Sequence, residues 1–340
     1  MRYLYSTMLD NEQEKDNEGG TQDSKSNLSH LFRIALGFAV VSALILIYLL
    51  VPRSGPAPRI LAGGLASGPS MIVQELSVLR SAYPGIKIEN TFDPIKSDWK
   101  IIISKDDKTM ELYWAEGRYL PEKLLASKDR YRRLIFYIPD KLVDPATLNH
   151  DQIEEIRAFG SSESRETAPI SATYIFESIY DTSTRQNVER HIVKTSFLGK
   201  QVSVHEQIVE PLKRVDTQIR TAATTNPLVE EFIRNLNSAE GYSWRQIRDT
   251  SGISFHSMGL AIDLLPRRWQ NKIIYWNWEK NKGNEDWMLI PLSERWMPPK
   301  RVIDIFEKEG FIWGGKWTVW DNMHFEYRPE LILGRELVKP

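Results

Sequence analysis

The chain has 340 residues and a formal charge of −1, with 44 basic and 45 acidic side chains. That length suffices for one large domain or two ordinary ones, and the near-neutral balance excludes the electrostatic footprint of a nucleic-acid binder. Cysteine is absent, which excludes disulfides, thiolate metal sites and cysteine nucleophiles together.

In chain order, residues 1–33 open with Asp10, Glu12, Glu14, Asp16, Glu18 and Asp23 among few apolar residues, and are expected to be a disordered acidic tail. Ile34 to Val51 is an uncharged run of 18 residues. As a helix it would span about 27 Å, close to a hydrocarbon core, so a single transmembrane anchor is expected there. A cleaved signal peptide is the competing reading, but a tail of this length is long for its charged region and no small-residue cleavage site follows. Lys15, Lys25 and Arg33 on one side against Arg53 and Arg59 on the other favour a cytoplasmic N-terminus. Residues 52–74, rich in Pro, Gly and Ala, read as a linker.

Residues 75–200 are expected to be a mixed α/β lead-in. Trp99–Ser104 and Thr109–Trp114, flanking Lys105-Asp106-Asp107-Lys108, predict a β-hairpin, and Leu134–Ile138 predicts another strand. From residue 201 a second domain is expected. Ile208, Leu212, Val215 and Ile219 form one helical stripe, with Pro211 expected to kink or restart it. His205, at the start of that stripe, reads as a capping or surface residue. Asn226-Pro227 is a helix start, with Leu228, Val229, Phe232, Ile233 and Leu236 on its buried side. Pro299–Glu309 predicts a helix closed by Gly310, followed by strands at Phe311–Trp313 and His324–Tyr327. Eleven tryptophans, most of them beyond residue 240, either fill a core or wall a substrate groove.

Chemistry concentrates in two of these segments. In the first, Gly259 permits a turn after His256, and in the strand that follows Ala261 and Asp263 share a face while Ile262 points away. In the second, His324 and Glu326 share a strand face and Asp321 lies three residues before His324. Two imidazoles and a carboxylate are a donor set for a catalytic zinc ion that keeps its fourth position for water. An acid such as Asp321 could take a proton from that water and return it to a leaving amine. Glu326 suits the role of a carboxylate orienting a ligand imidazole, or is a surface acid.

The patterns Ser254-x-His256-x-x-Gly259-x-Ala261-x-Asp263 and Asp321-x-x-His324-Phe325-Glu326 resemble the zinc D-alanyl-D-alanine carboxypeptidase and L-alanyl-D-glutamate peptidase family of cell-wall enzymes. Between them, Gly310-Phe311-Ile312-Trp313-Gly314-Gly315-Lys316-Trp317 is similar to an element of the family's endopeptidase-like branch. Tyr242-Ser243-Trp244-Arg245 resembles the segment carrying its substrate-positioning arginine. The resemblance implies zinc held by His256, Asp263 and His324, Asp321 as general base, and Arg245 on the substrate, with Arg248 as a second candidate for that arginine. It implies that Ser254 lines the substrate site. Asp rather than Glu at the base position favours the endopeptidase-like branch.

The expected fold is α+β, a small antiparallel sheet with packed helices carrying a His-Asp-His zinc site, preceded by one transmembrane helix. The expected function is hydrolysis of peptidoglycan stem peptides by a zinc peptidase anchored in the bacterial cytoplasmic membrane, with its catalytic domain outside. The alternative is a non-catalytic, zinc-containing surface binding module of the same fold. The insert Arg267–Met297, with Trp269, Trp276, Trp278, Trp287 and Trp296, reads as a substrate-gripping flap in preference to a packed excursion. Oligomeric state is not legible.

Overall fold

The computed structural model describes residues 69–245 and 252–338. The described residues all fall within one compact unit. The expected tail (1–33) and membrane span (34–51) lie outside the described residues. One part of the expected fold class is corrected: among the described residues no helix is long and apolar enough to cross a membrane. The rest of that class, α+β with small antiparallel sheets around a His-Asp-His group, fits.

The first described element is the helix Pro69–Ala82, which begins inside the range read as linker. It is followed by a meander of β1 (Lys87–Asp93), β2 (Asp98–Lys105) and β3 (Lys108–Tyr113), antiparallel throughout. The expected hairpin is thus present, with a third strand added at its edge. Ile101 and Ile103 on β2 are fully buried while Ile102 between them is not, the alternation of a half-buried strand. Leu134–Ile138 forms no strand. The short β4 (Tyr131–Arg132) precedes it, paired in parallel with β5 (Ile170–Ser171), and Leu134, Ile135 and Tyr137 are buried without strand pairing. An apolar run marks burial, and burial does not require a ladder partner.

The hairpin β6 (Ile192–Phe197) and β7 (Lys200–His205) leads into the helix Val209–Ala223. Pro211 falls in that helix's first turn, where its missing N–H removes no internal bond, so the expected break does not occur. Asn226 caps the next helix, Pro227–Asn235, accepting from the backbone of Leu228 and Val229. Leu228, expected inside, is 65% exposed, and Val229 and Phe232 carry the burial.

The sheet that matters for chemistry has four antiparallel strands in the order β10 (Phe311–Trp313), β11 (His324–Tyr327), β9 (Ala261–Pro266), β8 (Leu236–Glu240). Phe325 stacks on Phe306 with ring centroids 4.0 Å apart, which seats the helix Lys300–Lys308 against one face of the sheet. Alternation then turns His324 and Glu326 to the opposite face. One continuous core joins this sheet to the N-terminal meander, from Ile72 and Leu76 through Ile101 to Phe325.

The insert departs from the expected flap. Trp276 and Trp287 lie 4.6 Å apart and, with Met288, Ile290 and Trp320, make a small core of their own. Arg295, buried, donates to the Ile290 carbonyl and covers the Trp320 ring at 4.4 Å. Only Trp269 and Trp278 of that group stay half-buried and paired on the outside, together with Trp296 against the main core.

Candidate metal centre

Two adjacent strands carry two members of the site. Asp263 on β9 stands directly opposite His324 on β11, so both side chains project from one face. The neighbouring pair on that face is Ala261 opposite Glu326, and the small methyl leaves room for the glutamate. Ile262 and Phe325 point the other way into the core and anchor both strands there.

His256 arrives from a loop. It sits in the single turn Phe255–Met258, which Ser254 caps by accepting from the His256 backbone N–H at 3.3 Å. Gly259 ends the turn in the left-handed region at φ 68°, and a Cβ there would stand 2.7 Å from the His205 nitrogen. Gly241 is needed for a different reason. A Cβ at that position would meet the Ser203 carbonyl oxygen at 2.0 Å, yet the Gly241 carbonyl has to reach His256.

The ligand atoms converge. His256 Nε2, His324 Nδ1 and Asp263 Oδ1 lie 2.9–3.1 Å from one another, and all three residues are buried. A tetrahedral zinc centre with bonds of about 2.0–2.1 Å spaces its donors about 3.4 Å apart, so small outward shifts would seat one ion. The far nitrogens fix the tautomers. His256 Nδ1 faces the Gly241 carbonyl at 2.6 Å, and His324 Nε2 faces Glu326 Oε1 at 3.1 Å. Both partners only accept, so each imidazole carries its hydrogen there and presents a lone pair inward.

The charges agree with that reading. Burial alone would raise the Asp263 carboxyl, but His256 and His324 hold it far below the usual carboxylate range. Burial works against a charged His324, yet its bonds to Asp263 and Glu326 push it up to about 10, so the two carboxylates around this ring favour a positive charge at the site, whether a proton or a metal ion in its place. Asp321 moves the other way, up to about 7, through burial first and the Asp263 charge second. Its Oδ1 is sealed from solvent and has no hydrogen-bond partner. A sealed, unpaired carboxylate oxygen is costly unless something absent from the polypeptide occupies its front. The donor set and this orphaned oxygen both fit a metal ion with its water.

The remaining expected residues sit as follows. Arg245 is 44% exposed along its side chain, with Nη2 3.9 Å from Asp263 Oδ2 at the rim. Ser254, buried, caps the His256 turn. Arg248 lies outside the described residues. His205 is buried, and it also caps a turn by accepting from Gln207 N at 3.2 Å.

Three contributors went unread in the sequence. Ser257 clamps the Arg245 backbone at both ends, accepting from its N–H at 2.7 Å and donating to its carbonyl at 2.6 Å. Gly241 supplies the carbonyl for His256. Asn322 ties the strand entry to the insert by donating to the Trp296 carbonyl at 2.6 Å. Their places beside motif residues were the only signal. The Trp317 ring lies 5.5 Å from that of His324, so the element Gly310–Trp317 forms a wall of the same site.

Residues 248–327 match the family model described as D-alanyl-D-alanine carboxypeptidase, and residues 75–136 match a domain of unknown function. Neither the comparison with curated proteins nor that with solved structures finds a match. The resemblance read from the motifs is borne out: over residues 248–327 the chain is similar to the D-alanyl-D-alanine carboxypeptidase family of zinc peptidases, and it carries the His-Asp-His group such an enzyme needs.

Proposed function

We propose that this chain is a zinc-dependent peptidase acting on the stem peptides of bacterial peptidoglycan, a substrate that would place its work outside the cytoplasmic membrane. The observation that carries the reading is the convergence of His256, Asp263 and His324 beside an acid, Asp321, whose Oδ1 has no partner.

His256 Nε2, Asp263 Oδ1 and His324 Nδ1 would hold the ion. When bound, zinc supplies Lewis acidity, bringing the pKa of a water to about 7 and polarising a carbonyl. The protein's own groups do the rest. Asp321, poised near neutrality, takes a proton from the attacking water and passes it to the leaving amine nitrogen. Arg245, at the exposed rim, grips a peptide carbonyl or terminal carboxylate with its planar fork. Gly241 and Glu326 keep the two imidazoles in register while this happens.

Asp at position 321 supports an endopeptidase over a carboxypeptidase. Incubating the full-length chain with purified muropeptides, with and without zinc, and reading products by mass spectrometry separates the two. Release of the L-alanine end establishes an endopeptidase, and loss of a terminal alanine a carboxypeptidase. One zinc per chain with no cleavage of any stem peptide would contradict the proposal and leave a binding module.

A further inference from the structure

The two family matches fall on separate stretches of sequence, yet a buried ionic chain connects them. Glu326 turns one oxygen to His324 Nε2 and the other to Arg328 Nη1, 3.7 Å away. Arg328 Nε donates to Glu330 Oε1. Glu330 Oε2 in turn accepts from the Tyr83 hydroxyl at 2.5 Å, across 247 residues of sequence. Arg328 and Glu330 are 1% and 0% exposed. The guanidinium also donates to the Leu134 carbonyl at 3.4 Å and lies 4.7 Å from the Phe255 ring, 5.0 Å from Phe176 and 5.8 Å from Phe136. Tyr83, Leu134 and Phe136 all belong to the stretch that matches the domain of unknown function.

A second strut comes from the residue that follows this stretch. The Tyr137 hydroxyl accepts from the Trp313 backbone N–H at 3.3 Å and donates to Glu307 at 2.6 Å. Trp313 leads directly into Gly314, whose carbonyl accepts from the Asp321 backbone at 3.1 Å. The N-terminal stretch and Tyr137 therefore reach both arms of the site at one remove, through Arg328 and Glu330 just past the strand of His324, and through Trp313 next to the Gly314 that holds the Asp321 backbone.

Folding alone does not explain the chain of charges. Burying a cation between two carboxylates costs desolvation that an apolar packing of equal volume would avoid, so such a network is a poor device for stability. It is a good device for orientation. A carboxylate on the outer nitrogen of a ligand imidazole fixes the tautomer and makes the inner nitrogen a better donor, provided that carboxylate is itself held.

We propose that the segment Pro69–Tyr137 is a positioning arm of the metal centre, acting on His324 through Tyr83, Glu330, Arg328 and Glu326. The inference rests on the zinc reading given above. It assigns the N-terminal stretch a role in the reaction without contact with substrate, and makes Tyr83 and Arg328 positioning residues. Removing outer partners of this kind weakens metal binding by about 10- to 100-fold when they touch the ligand, and less when they stand further back.

The test measures zinc affinity of the full-length chain by competition with a chromophoric chelator, independently of any substrate. Glu326→Gln is expected to weaken zinc about tenfold. Tyr83→Phe, which keeps the ring, is expected to weaken it about three- to tenfold, and by less than about twofold once Glu326→Gln is already present. Unchanged affinity in Tyr83→Phe, or an equal loss in both backgrounds, would overturn the inference, since mere loosening of the fold does not depend on Glu326. If Tyr83→Phe does not fold, Arg328→Lys is read in the same way, and its loss must likewise vanish in the Glu326→Gln background. A wild-type chain that takes up no zinc overturns the functional reading and this inference together. Tight zinc binding with Tyr83→Phe unaffected overturns this inference alone.

Discussion

Two acids with carboxylate oxygens sealed from solvent differ in what surrounds them. Glu75, on the helix Pro69–Ala82, accepts from the Trp114 indole at 2.6 Å, from Arg133 at 2.6 Å and from the Tyr119 hydroxyl at 3.2 Å. Every direction from its carboxylate is taken by the chain itself. Asp321 has its backbone bonded on both sides, to Gly314 and His324, while Oδ1 finds nothing. The first arrangement is closed and structural, and the second is left open toward a group the chain does not supply. Unmet hydrogen-bonding capacity is what marks Asp321, and not Glu75, as the candidate functional acid, where burial alone does not.

Substitutions at the two acids sharpen that contrast. Asp321→Asn should lower peptide cleavage by about 10²- to 10⁴-fold, the usual worth of a positioned acid–base group, with zinc content unchanged. Wild-type turnover in that variant, measured under saturating zinc, would remove Asp321 from the mechanism. Glu75→Ala should show the opposite profile. It leaves the Arg133 guanidinium without its partner and should cost about 3–5 kcal/mol in urea unfolding, discounted somewhat because Arg133 is partly exposed. Should Glu75→Ala be as stable as wild type, the closed arrangement is not structural.

A third buried group adds a pH dependence. Burial lowers His205 to about 4, and its two bonds suit the neutral ring: Nε2 donates to the Tyr180 carbonyl while Nδ1 accepts from Gln207. The unfolded chain binds the extra proton at about 6.5, the folded chain only near 4. Stability from this group is therefore full above about pH 6.5 and falls as the pH drops toward 4, by at most about 3 kcal/mol. Denaturant midpoints across that window should fall more steeply for wild type than for His205→Asn; parallel curves would refute it. The smallest effect is expected at the helix cap, where Asn226→Ala should cost about 1 kcal/mol and leave zinc binding intact, checked by thermal unfolding with and without zinc.

The candidate metal ligands were legible because the motifs that carry them are local. The turn after His256 and the alternation along each strand are local and, with the family resemblance, single out His256, Asp263 and His324. That β9 and β11 pair so as to set Asp263 opposite His324 is not local and comes from the fold. The cap at Asn226 and the closing of the helix Lys300–Lys308 by Gly310 were legible for the same reason. What stayed hidden is non-local. No pattern within the sequence announces that Tyr83 meets Glu330, or that Ser257 holds Arg245 from both sides. The tryptophans of the insert misled because aromatic residues serve a groove and a core equally well, and Trp276, Trp287 and Trp320 form a core. Leu134–Ile138 misled for a similar reason, since its apolar residues are buried without forming a strand.

Zinc capture by His256, Asp263 and His324 is the central claim about this molecule. Metal content should be measured on the full-length chain and on His256→Ala, Asp263→Ala and His324→Ala, each loaded with zinc and then dialysed. One zinc per wild-type chain, and less than about a tenth of that in every variant, is the predicted result. Stoichiometric zinc retained by folded variants, or none in the wild type, would contradict it.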